Sequence, residues 1–355
     1  MNILLTGATG FVGKKLTSAL LDKGHHVYAI VRNLKKAESL ISSVSPSLQK
    51  NLVILEGDVI YKNVGLSEDT VHFLKENIDT VYHVAAFLSF DENVREQTFA
   101  INLEGTRNVL ELAKEIKVRN FFHVSTAYTL GQQLHAFETL HPVDNQFINP
   151  YEESKCYAEH LVFEYKDQFN VNIFRPSIII GDSKTGEAET TFALYGVIRG
   201  LELIKRRMER KKDLQNRTFK FLCNQEVTQN FVPVDYVIDV LTAALLHAKK
   251  NTIYHITNSN PPTNQLIFEL IQEYLDLPNV VMVPTDYPGQ LSPEEQAFNQ
   301  PMSVFYDYWT KDLQFSDANT RELLAEVGLE PLVMDRDILM RIIGKREQVL
   351  SRGAS

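Results

Sequence analysis

The sequence predicts an α/β protein in which a Rossmann-type, doubly wound parallel sheet carries a smaller, discontinuous substrate lobe. Three observations predict this fold class. Short apolar runs alternate with longer helical segments in the first half of the chain, which is typical of a parallel sheet covered on both faces. The first run leads into a turn with glycines at 7, 10 and 13. The alternation breaks after about Gly181 and resumes near Phe231, which indicates a lobe inserted into the first domain.

The predicted strands are short apolar runs, and the predicted helices carry apolar residues at three-to-four spacing. In the first helix Phe11, Leu16 and Leu20 recur in this way, and Gly24 ends it. Strands are predicted at 3–5, 26–31, 52–55, 80–84, 121–124, 171–174, 218–222 and 253–256. Helices are predicted at 11–23, up to Ser43, 93–116, 151–169, 187–212, from near Asp235 to Ala248, 317–327 and 334–350.

These elements predict two domains that interleave along the chain. The first, Rossmann-type domain comprises residues 1–182 and returns at about 230–257, where a second strand–helix pattern occurs. The substrate lobe comprises residues 183–229 and 258–355, and its strand at 218–222 is expected to be isolated.

Composition and charge exclude several classes of function. The 355 residues include 45 acidic and 36 basic side chains, so the net charge is −9 and a general nucleic-acid-binding surface is not expected. No apolar run approaches the roughly 20 residues of a membrane span, and no charged leader precedes the first apolar run. The two cysteines, Cys156 and Cys223, favour a reducing compartment. We therefore expect a soluble, cytoplasmic protein.

The glycine turn predicts a dinucleotide site. Gly7 allows a tight turn, Gly10 a close approach of the backbone to a pyrophosphate, and Gly13 close packing of helix on strand. The N-terminus of the next helix offers unpaired N–H groups and the positive end of its dipole. Such glycines can also serve only as a turn, but their place between a strand and a helix favours dinucleotide binding.

The end of the second strand favours NADP(H) over NAD(H). NAD-binding proteins usually place an acidic residue there to hold the ribose 2′-hydroxyl, whereas this chain has Val31 and Arg32. A guanidinium suits a 2′-phosphate in charge and geometry, although Arg32 can also be an ordinary surface arginine. Lys35 and Lys36 add to the same field or begin a solvated helix, and Asp58 is placed to accept from the adenine amino group.

A tyrosine and a lysine one helical turn apart predict an acid–base pair. Tyr151 and Lys155 share a helix face, and the ammonium is expected to lower the pKa of the phenol towards the working pH. A Tyr–Lys pair at this spacing is common in helices and usually has no catalytic role. Ser125 and Thr126, however, end a predicted strand, where parallel sheets hold ligands. Together these groups are suited to protonating an alkoxide while a nicotinamide donates hydride.

Along most of its length the sequence resembles the extended short-chain dehydrogenase/reductase family. The matching segments are 6–13, 84–86, 101–106, 124–131, 149–155, 175–177 and 231–237. The resemblance, anchored on Gly131, implies that the catalytic hydroxyl is Thr126, with Ser125 as the alternative, and that Tyr151 and Lys155 complete the catalytic set. It further implies a cofactor site formed by Gly7, Thr9, Gly10, Phe11, Val12, Gly13, Arg32, Asp58, Val59, Ala85, Ala86, Asn102, Ser125, Tyr151, Lys155, Pro176, Ser177 and Ile178.

Segments 125–128 and 175–187 narrow the resemblance to the thioester reductases, which are male-sterility-like fatty acyl reductases and reductase domains that release products from carrier proteins. This resemblance implies NADPH-dependent reduction of an acyl thioester to the aldehyde or alcohol. We expect neither an attached carrier or adenylation domain nor a long C-terminal extension, so the acyl group is expected on coenzyme A or on a separate carrier protein.

Two alternatives stay open. One is another extended short-chain reductase or epimerase, acting on a sugar nucleotide, a hydroxysteroid-like or a small carbonyl substrate. The other is a non-enzymatic dinucleotide sensor, which would not need Thr126, Tyr151 and Lys155 together.

Some further features have more than one interpretation. Six of the eight residues from 205 to 212 are Lys or Arg, and they form either a rim that attracts an anionic carrier or a solvated helix face. The aromatic residues between Phe298 and Trp309 either line an acyl pocket or pack the lobe. His83 and Cys156 are expected to be structural, and no metal site is predicted.

Overall fold

The computed structural model describes residues 1–190, 193–210 and 217–345. Its strands are β1 (Asn2–Thr6), β2 (His26–Val31), β3 (Leu52–Glu56), β4 (Thr80–His83), β5 (Asn120–Val124), β6 (His135–Ala136), β7 (Asn170–Pro176), β8 (Ile178–Ile180), β9 (Phe219–Leu222), β10 (Phe231–Pro233), β11 (Thr252–Ile256), β12 (Val280–Val283) and β13 (Gln314–Phe315). Its helices are α1 (Phe11–Asp22), α2 (Leu34–Ser43), α3 (Glu68–Asn77), α4 (Arg95–Phe99), α5 (Gly105–Glu115), α6 (Pro150–Glu164), α7 (Leu194–Arg210), α8 (Val234–His247), α9 (Asn264–Leu275), α10 (Pro293–Asn299), α11 (Tyr306–Trp309), α12 (Ala318–Glu326) and α13 (Arg336–Gly344). None of these described helices combines the length and apolar character that crossing a membrane requires.

The first of two compact units comprises residues 1–177, 235–257 and 315–331 and contains a seven-stranded sheet in the order β11–β7–β5–β4–β1–β2–β3. Every pairing in this sheet is parallel; Leu4, for example, lies opposite Val81, and Val81 opposite Phe121. Ile3, Leu4 and Leu5 are fully buried in succession, which is the pattern of a strand covered on both faces. The predicted fold class is confirmed, and the carboxyl ends of all seven strands lie at one edge.

The predicted helix at 93–116 contains a π-helical turn. This turn, at Ala100–Glu104, joins α4 to α5 without a break in the helical backbone. It contains Asn102, whose side chain bonds to the backbone of Phe87 at 2.7 and 3.0 Å. Such turns are frequent at functional sites. The sequence does not predict the π turn, because apolar helical spacing continues through it.

The second unit comprises residues 178–234, 258–314 and those from 332 onwards. Its helix α7 buries one face, formed by Leu194, Ile198, Leu201, Ile204 and Met208 at three-to-four spacing. Helices α7 and α13 both pack on α9. Strand β8 pairs with β10 and β9 with β12, each in parallel, so the strand predicted at 218–222 is not isolated.

Other bounds also differ from the sequence predictions. Helices α3, α9 and α10 and strand β12 were not predicted. Helix α7 begins at Leu194 rather than Glu187, and Ala193 just before it takes a φ of +49°, outside the right-handed helical region. The second unit begins at Ile178 rather than 183, and residues 315–331, with α12 on β11, belong to the first unit. Parts of two predicted helices, 211–212 and 346–350, lie outside the described residues.

Candidate active site

The turn after β1 brings backbone into unusually close contact. Gly7 has a φ of +75°, and a Cβ there would lie 2.6 Å from the backbone nitrogen of Ala85. A Cβ on Gly13 would lie 2.0 Å from the Gly7 carbonyl oxygen. The Gly10 N–H donates to that same carbonyl at 3.0 Å and closes the turn. A larger residue at Gly7 or Gly13 would therefore displace backbone.

The N-terminus of α1 is open in front of this turn. Gly10 is the N-cap, no side chain caps the helix, and its first turn holds no acidic residue. A Cβ on Gly10 would lie 3.4 Å from the Gly7 carbonyl oxygen, an ordinary contact distance. Thr9, Phe11 and Val12 lie partly exposed around this N-terminus. Free amides at the positive end of a helix dipole fit the pyrophosphate of a dinucleotide.

Arg32 and Asp58 stand at the carboxyl ends of neighbouring strands. The Arg32 guanidinium is 4.0 Å from the Asp58 carboxylate, and the Arg32 side chain is 65% exposed. Val59 is buried behind them, whereas Lys35 and Lys36 are exposed in the first turn of α2. Because it is exposed and only loosely paired with Asp58, the Arg32 guanidinium is available to bind the 2′-phosphate of NADP(H).

Two buried hydroxyls at the carboxyl edge of the sheet lack partners. Ser125 follows β5 and Ser177 follows the neighbouring β7; they are 4% and 6% exposed, and neither Oγ has a hydrogen-bond partner among the described residues. Buried polar atoms without partners are uncommon in proteins, so these two fit a ligand at this edge. Thr126 is 7% exposed, and its Oγ1 accepts one backbone N–H at 3.3 Å, which leaves its own proton to donate. Ala85 and Ala86 follow β4 at the same edge.

Tyr151 lies in the first turn of α6. The Asn149 side chain caps this helix by accepting the Glu152 N–H at 3.0 Å, and Pro150 starts it. Burial, followed by the nearby Glu152 charge, raises the pKa of Tyr151. The prediction that Lys155 lowers this pKa is therefore wrong. The raised pKa keeps the phenol protonated, which is the form that a proton donor needs.

Lys155 is 1% exposed and turns towards β5. Its Nζ donates to the Val124 carbonyl oxygen at 2.8 Å and lies 3.2 Å from Nε2 of His123. Burial lowers the pKa of Lys155 to about 7, while the Glu159 charge acts in the opposite direction. Both protonation states of Lys155 are therefore accessible near neutral pH.

The Asn102 side chain is hydrogen-bonded inside the protein. Its Oδ1 accepts from the Phe87 N–H, and its Nδ2 donates to the Phe87 carbonyl and to Ser154 Oγ, both at 3.0 Å. At 1% exposure these contacts use its whole amide. Asn102 therefore joins the segment after β4 to α6 at Ser154, next to Lys155, and its part in cofactor binding stays a prediction.

A buried ion pair lies one helical turn beyond Lys155. Arg175 and Glu159 are both 0% exposed and share two hydrogen bonds, at 2.9 and 2.5 Å. Arg175 also contacts ring nitrogens of His141 and His255, at 3.3 and 3.2 Å. Burial and the Arg175 charge lower the pKa of His141 to about 4 and of His255 to about 3. The sequence did not point to this cluster, although the i, i+4 spacing of Lys155 and Glu159 was visible.

The second unit contains a groove of about 320 Å³ between α7 and the segment that begins with α10. Its lining consists of apolar side chains and glycines with three charged residues: Gly196, Arg199, Gly200, Leu203, Ile204, Arg207, Phe219, Glu294, Ala297, Phe298, Pro301 and Met302. A Cβ on Gly200 would lie 2.9 Å from Cε of Met302 and 3.1 Å from the Phe298 ring. The absence of a side chain at Gly200 therefore lets Met302 and Phe298 pack closely against α7 at the wall of the groove.

The basic and aromatic segments of the second unit both have partners. Lys205 donates to a backbone carbonyl at 2.6 Å, and Arg207 lies 3.8 Å from Glu294, while Arg206 is exposed. Lys211 and Lys212 lie outside the described residues. In the aromatic segment, rings of Phe298 and Trp309 pack on Phe221, and those of Phe305 and Tyr306 pack on Trp309. The aromatic segment mainly packs this unit, and Phe298 alone of these rings lines the groove.

Two further predicted cofactor residues, Pro176 and Ile178, lie on consecutive strands. Pro176 ends β7 in the first unit, and Ile178 begins β8 in the second. Cys156 is buried, and burial raises the pKa of its thiol to about 12, which fits an unreactive thiol. Within the described ranges, no three His, Cys, Asp or Glu side chains are grouped as metal ligands.

The chain is similar to known proteins in sequence and in fold. Residues 5–241 match the model of the male sterility protein family. The fatty acyl-CoA reductase wat of Drosophila melanogaster is 27% identical over 295 residues, which are 70% of this chain and 54% of that protein. The chain therefore spans about half the length of that relative.

Solved structures extend the similarity to nearly the whole chain. The terminal R domain of the myxalamid PKS-NRPS pathway superposes with a TM-score of 0.80 at 22% identity, over 99% of this chain and 91% of that one. The UDP-glucose 4-epimerase of Thermotoga maritima gives a TM-score of 0.66 at 20% identity, over 99% and 100%. At these identities the two structures share the fold.

Proposed function

The chain belongs to the male sterility protein family, and on this premise we propose that it reduces an acyl thioester with NADPH to the aldehyde or alcohol. One observation carries the proposal. A protonated Tyr151, a buried Lys155 and the hydroxyls of Ser125 and Thr126 meet the carboxyl edge of a sheet whose first turn fits a pyrophosphate. The name of the fatty acyl-CoA reductase relative supports the substrate class.

Each residue of this set has a distinct part in the reaction. NADPH, when bound, supplies hydride for the thioester carbonyl carbon. Tyr151 donates its phenolic proton to the carbonyl oxygen, and the Lys155 ammonium stabilises the phenolate that remains. Thr126, or else Ser125, donates a hydrogen bond to the same oxygen as charge develops there. The thiohemiacetal loses its hydroxyl proton to the phenolate, its C–S bond breaks, and the thiolate leaves and is protonated by water.

The preference for NADPH rests on Arg32. A 2′-phosphate would compete with Asp58 for the exposed guanidinium, which stands 4.0 Å away. We expect NADPH to bind more tightly than NADH by about 1.5–3 kcal/mol, the usual contribution of a charged hydrogen bond. Arg32→Ala should narrow this gap, and Lys36→Ala should leave it nearly unchanged. Equal affinities for the two dinucleotides in the parent protein would contradict the preference.

The second unit suits an acyl chain and its carrier. Its groove is mostly apolar, and Arg199 and Arg207 stand among its lining residues. Apolar walls with a few charged groups are typical of sites for amphipathic ligands. Coenzyme A and carrier proteins both present negative charge beside the thioester, which exposed arginines on α7 attract. The similar myxalamid R domain comes from a PKS-NRPS biosynthetic pathway, and this supports the choice of an acyl carrier as partner.

The test is a substrate panel with two simultaneous measurements. Purified protein with NADPH is given acyl-CoA thioesters of short, medium and long chain, the matching aldehydes, and UDP-glucose; NADPH loss and free-thiol release are followed together. We expect thiol release with the thioesters, and none with Tyr151→Phe. One thiol per NADPH indicates the aldehyde as product, and one thiol per two NADPH indicates the alcohol. Turnover of UDP-glucose or of aldehydes alone, without thiol release, would refute thioester reduction.

A further inference from the structure

Two buried histidines lie side by side at the centre of the first unit's sheet. His83 in β4 and His123 in β5 are register partners, both are 0% exposed, and their ring centroids are 5.3 Å apart. Burial lowers the pKa of both below the usual value, so both rings are neutral. They differ in what their nitrogens contact.

His83 has a complete set of partners. Its Nδ1 and Nε2 lie 2.7 and 2.9 Å from the hydroxyls of Thr6 and Thr106. The Thr106 hydroxyl donates to the Asn102 carbonyl at 2.6 Å, so it accepts from His83 Nε2, and Nδ1 then accepts from Thr6. Because every polar atom is paired, His83 is a structural link between β1 and α5.

His123 is incompletely paired. Its Nε2 faces the Lys155 Nζ at 3.2 Å, but its Nδ1 is buried with no hydrogen-bond partner among the described residues. A buried polar atom left unpaired is destabilising, so a purely structural role would be better served by an apolar ring. The contact with Lys155 is what distinguishes His123 from His83.

We propose that His123 is a positioning residue for Lys155. The lysine ammonium has three N–H groups, of which one donates to the Val124 carbonyl and one to His123 Nε2. These two hydrogen bonds fix the rotation of the ammonium about its Cε–Nζ bond. The third N–H is thereby directed for its role in the reaction, which is to stabilise the Tyr151 phenolate. This role rests on the proposed reductase function.

Several titratable groups face Lys155 and set the expected pH dependence. His83, His123 and Glu159 interact electrostatically with Lys155 itself, while Tyr128 and Tyr151 interact with Glu152, three residues before Lys155 on α6. The pKa of Lys155 is already lowered to about 7 by burial. The acceptor at His123 favours the charged form, so its loss should lower this pKa further. Because only the ammonium stabilises the Tyr151 phenolate, kcat should then begin to fall at a lower pH.

The matched variants are His123→Gln and His123→Asn. The Gln amide reaches the place of Nε2, whereas the Asn amide reaches only that of Nδ1, so the two differ in reach and share their chemistry. The first measurement is the pH dependence of kcat and KM with an acyl-CoA as substrate. The second is an NMR titration of the Lys155 13Cε resonance, which gives the pKa of this lysine. The resonance is assigned by its absence from the spectrum of Lys155→Arg. His123→Phe, which lacks any acceptor, replaces His123→Asn if that variant does not fold.

We expect His123→Asn to lower kcat roughly 10- to 100-fold with little change in KM, the effect of one charged hydrogen bond. Its Lys155 titration should move about one pH unit lower, and His123→Gln should restore both values towards the parent. Unchanged titration in His123→Asn, or equal losses in both variants, would refute the positioning role. If the parent reduces no thioester, the function proposed above fails, and the NMR titration alone still decides whether His123 holds the lysine.

Discussion

The first and second units bury different kinds of polar side chain. The first buries Lys155, Arg175 and Glu159 at 1% exposure or less, together with four histidines. Among the described residues of the second unit, the buried polar side chains are mainly amides: Gln229, Asn230, Asn258, Asn264 and Asn299. Glu295 is the charged exception there, and its carboxylate accepts the backbone N–H groups of Ser292 and Lys220.

This difference indicates a division of labour. Burying a charge costs several kcal/mol unless it is well paired, whereas a buried amide costs little once it is hydrogen-bonded. Strongly shifted pKa values are characteristic of functional sites, and in the first unit they include that of Lys155 between His123 and Glu159. The amides of the second unit instead join loops, as Asn230 does to Asn258 at 2.9 and 2.8 Å. The first unit is therefore suited to proton transfer and the second to holding a shape.

The largest expected effect is that of Tyr151→Phe in the first unit. The change keeps the ring beside Phe90, at a centroid distance of 6.5 Å, and removes only the proton donor. We expect kcat to fall about 10²- to 10⁴-fold, the usual contribution of a general acid, with NADPH affinity maintained. Steady-state kinetics and a fluorescence titration with NADPH measure the two quantities. If Tyr151→Phe kept a kcat close to that of the parent, the general acid would be another residue. The assignment of proton transfer to this part of the first unit would then fail.

The next effect concerns stability. Arg175→Leu leaves the Glu159 carboxylate buried without its partner, which typically costs about 3–5 kcal/mol. Urea unfolding should show this loss, and the double variant with Glu159→Leu should recover much of it. The control is Arg336→Ala in the second unit, where the pair with Glu273 is about half exposed, so a loss of at most ~1 kcal/mol is expected. Equal losses of unfolding free energy in Arg175→Leu and Arg336→Ala would show that burial does not determine how much the Arg175–Glu159 pair contributes to stability.

Features set by local sequence patterns could be predicted from the sequence, whereas features set by buried long-range contacts could not. Helix α6 and the Tyr151–Lys155 spacing were predictable, because a capping Asn149, Pro150 and the i, i+4 spacing are local signals. Helix α9 was missed although Thr263 caps it, because prolines nearby obscured its apolar spacing. The contact of Lys155 with His123 joins residues 32 positions apart and depends on burial, which no local pattern encodes. For the same reason the direction of the Tyr151 pKa shift was predicted wrongly.

A smaller effect should come from the groove of the second unit. Gly200→Leu adds a side chain to the groove wall at a position where a Cβ alone would lie 2.9 Å from Met302 and 3.1 Å from Phe298, so it should displace these two side chains and change the shape of the groove. KM for long acyl-CoA thioesters should rise roughly tenfold relative to short ones, since a few methylenes in an apolar pocket discriminate to that degree. Glu202→Leu, on the same helix but outside the lining, is the control. A uniform change across chain lengths would mean that the groove does not hold the acyl chain.

The smallest expected effect is on encounter with an anionic carrier. Arg206 and Arg210 are exposed on α7, and Arg207 is left unchanged because it faces Glu294. Reversing both to Glu should lower kcat/KM for an acyl-CoA a few-fold at low salt, because their field extends only about 8–10 Å at physiological ionic strength. Reduction of a neutral aldehyde should be unaffected, and added salt should reduce the difference between parent and variant. Reversal of Arg107 and Arg119, exposed on the first unit, controls for net charge. If this control lowers kcat/KM as much as the α7 variant does, the basic segment acts only through total charge and is a solvated helix face.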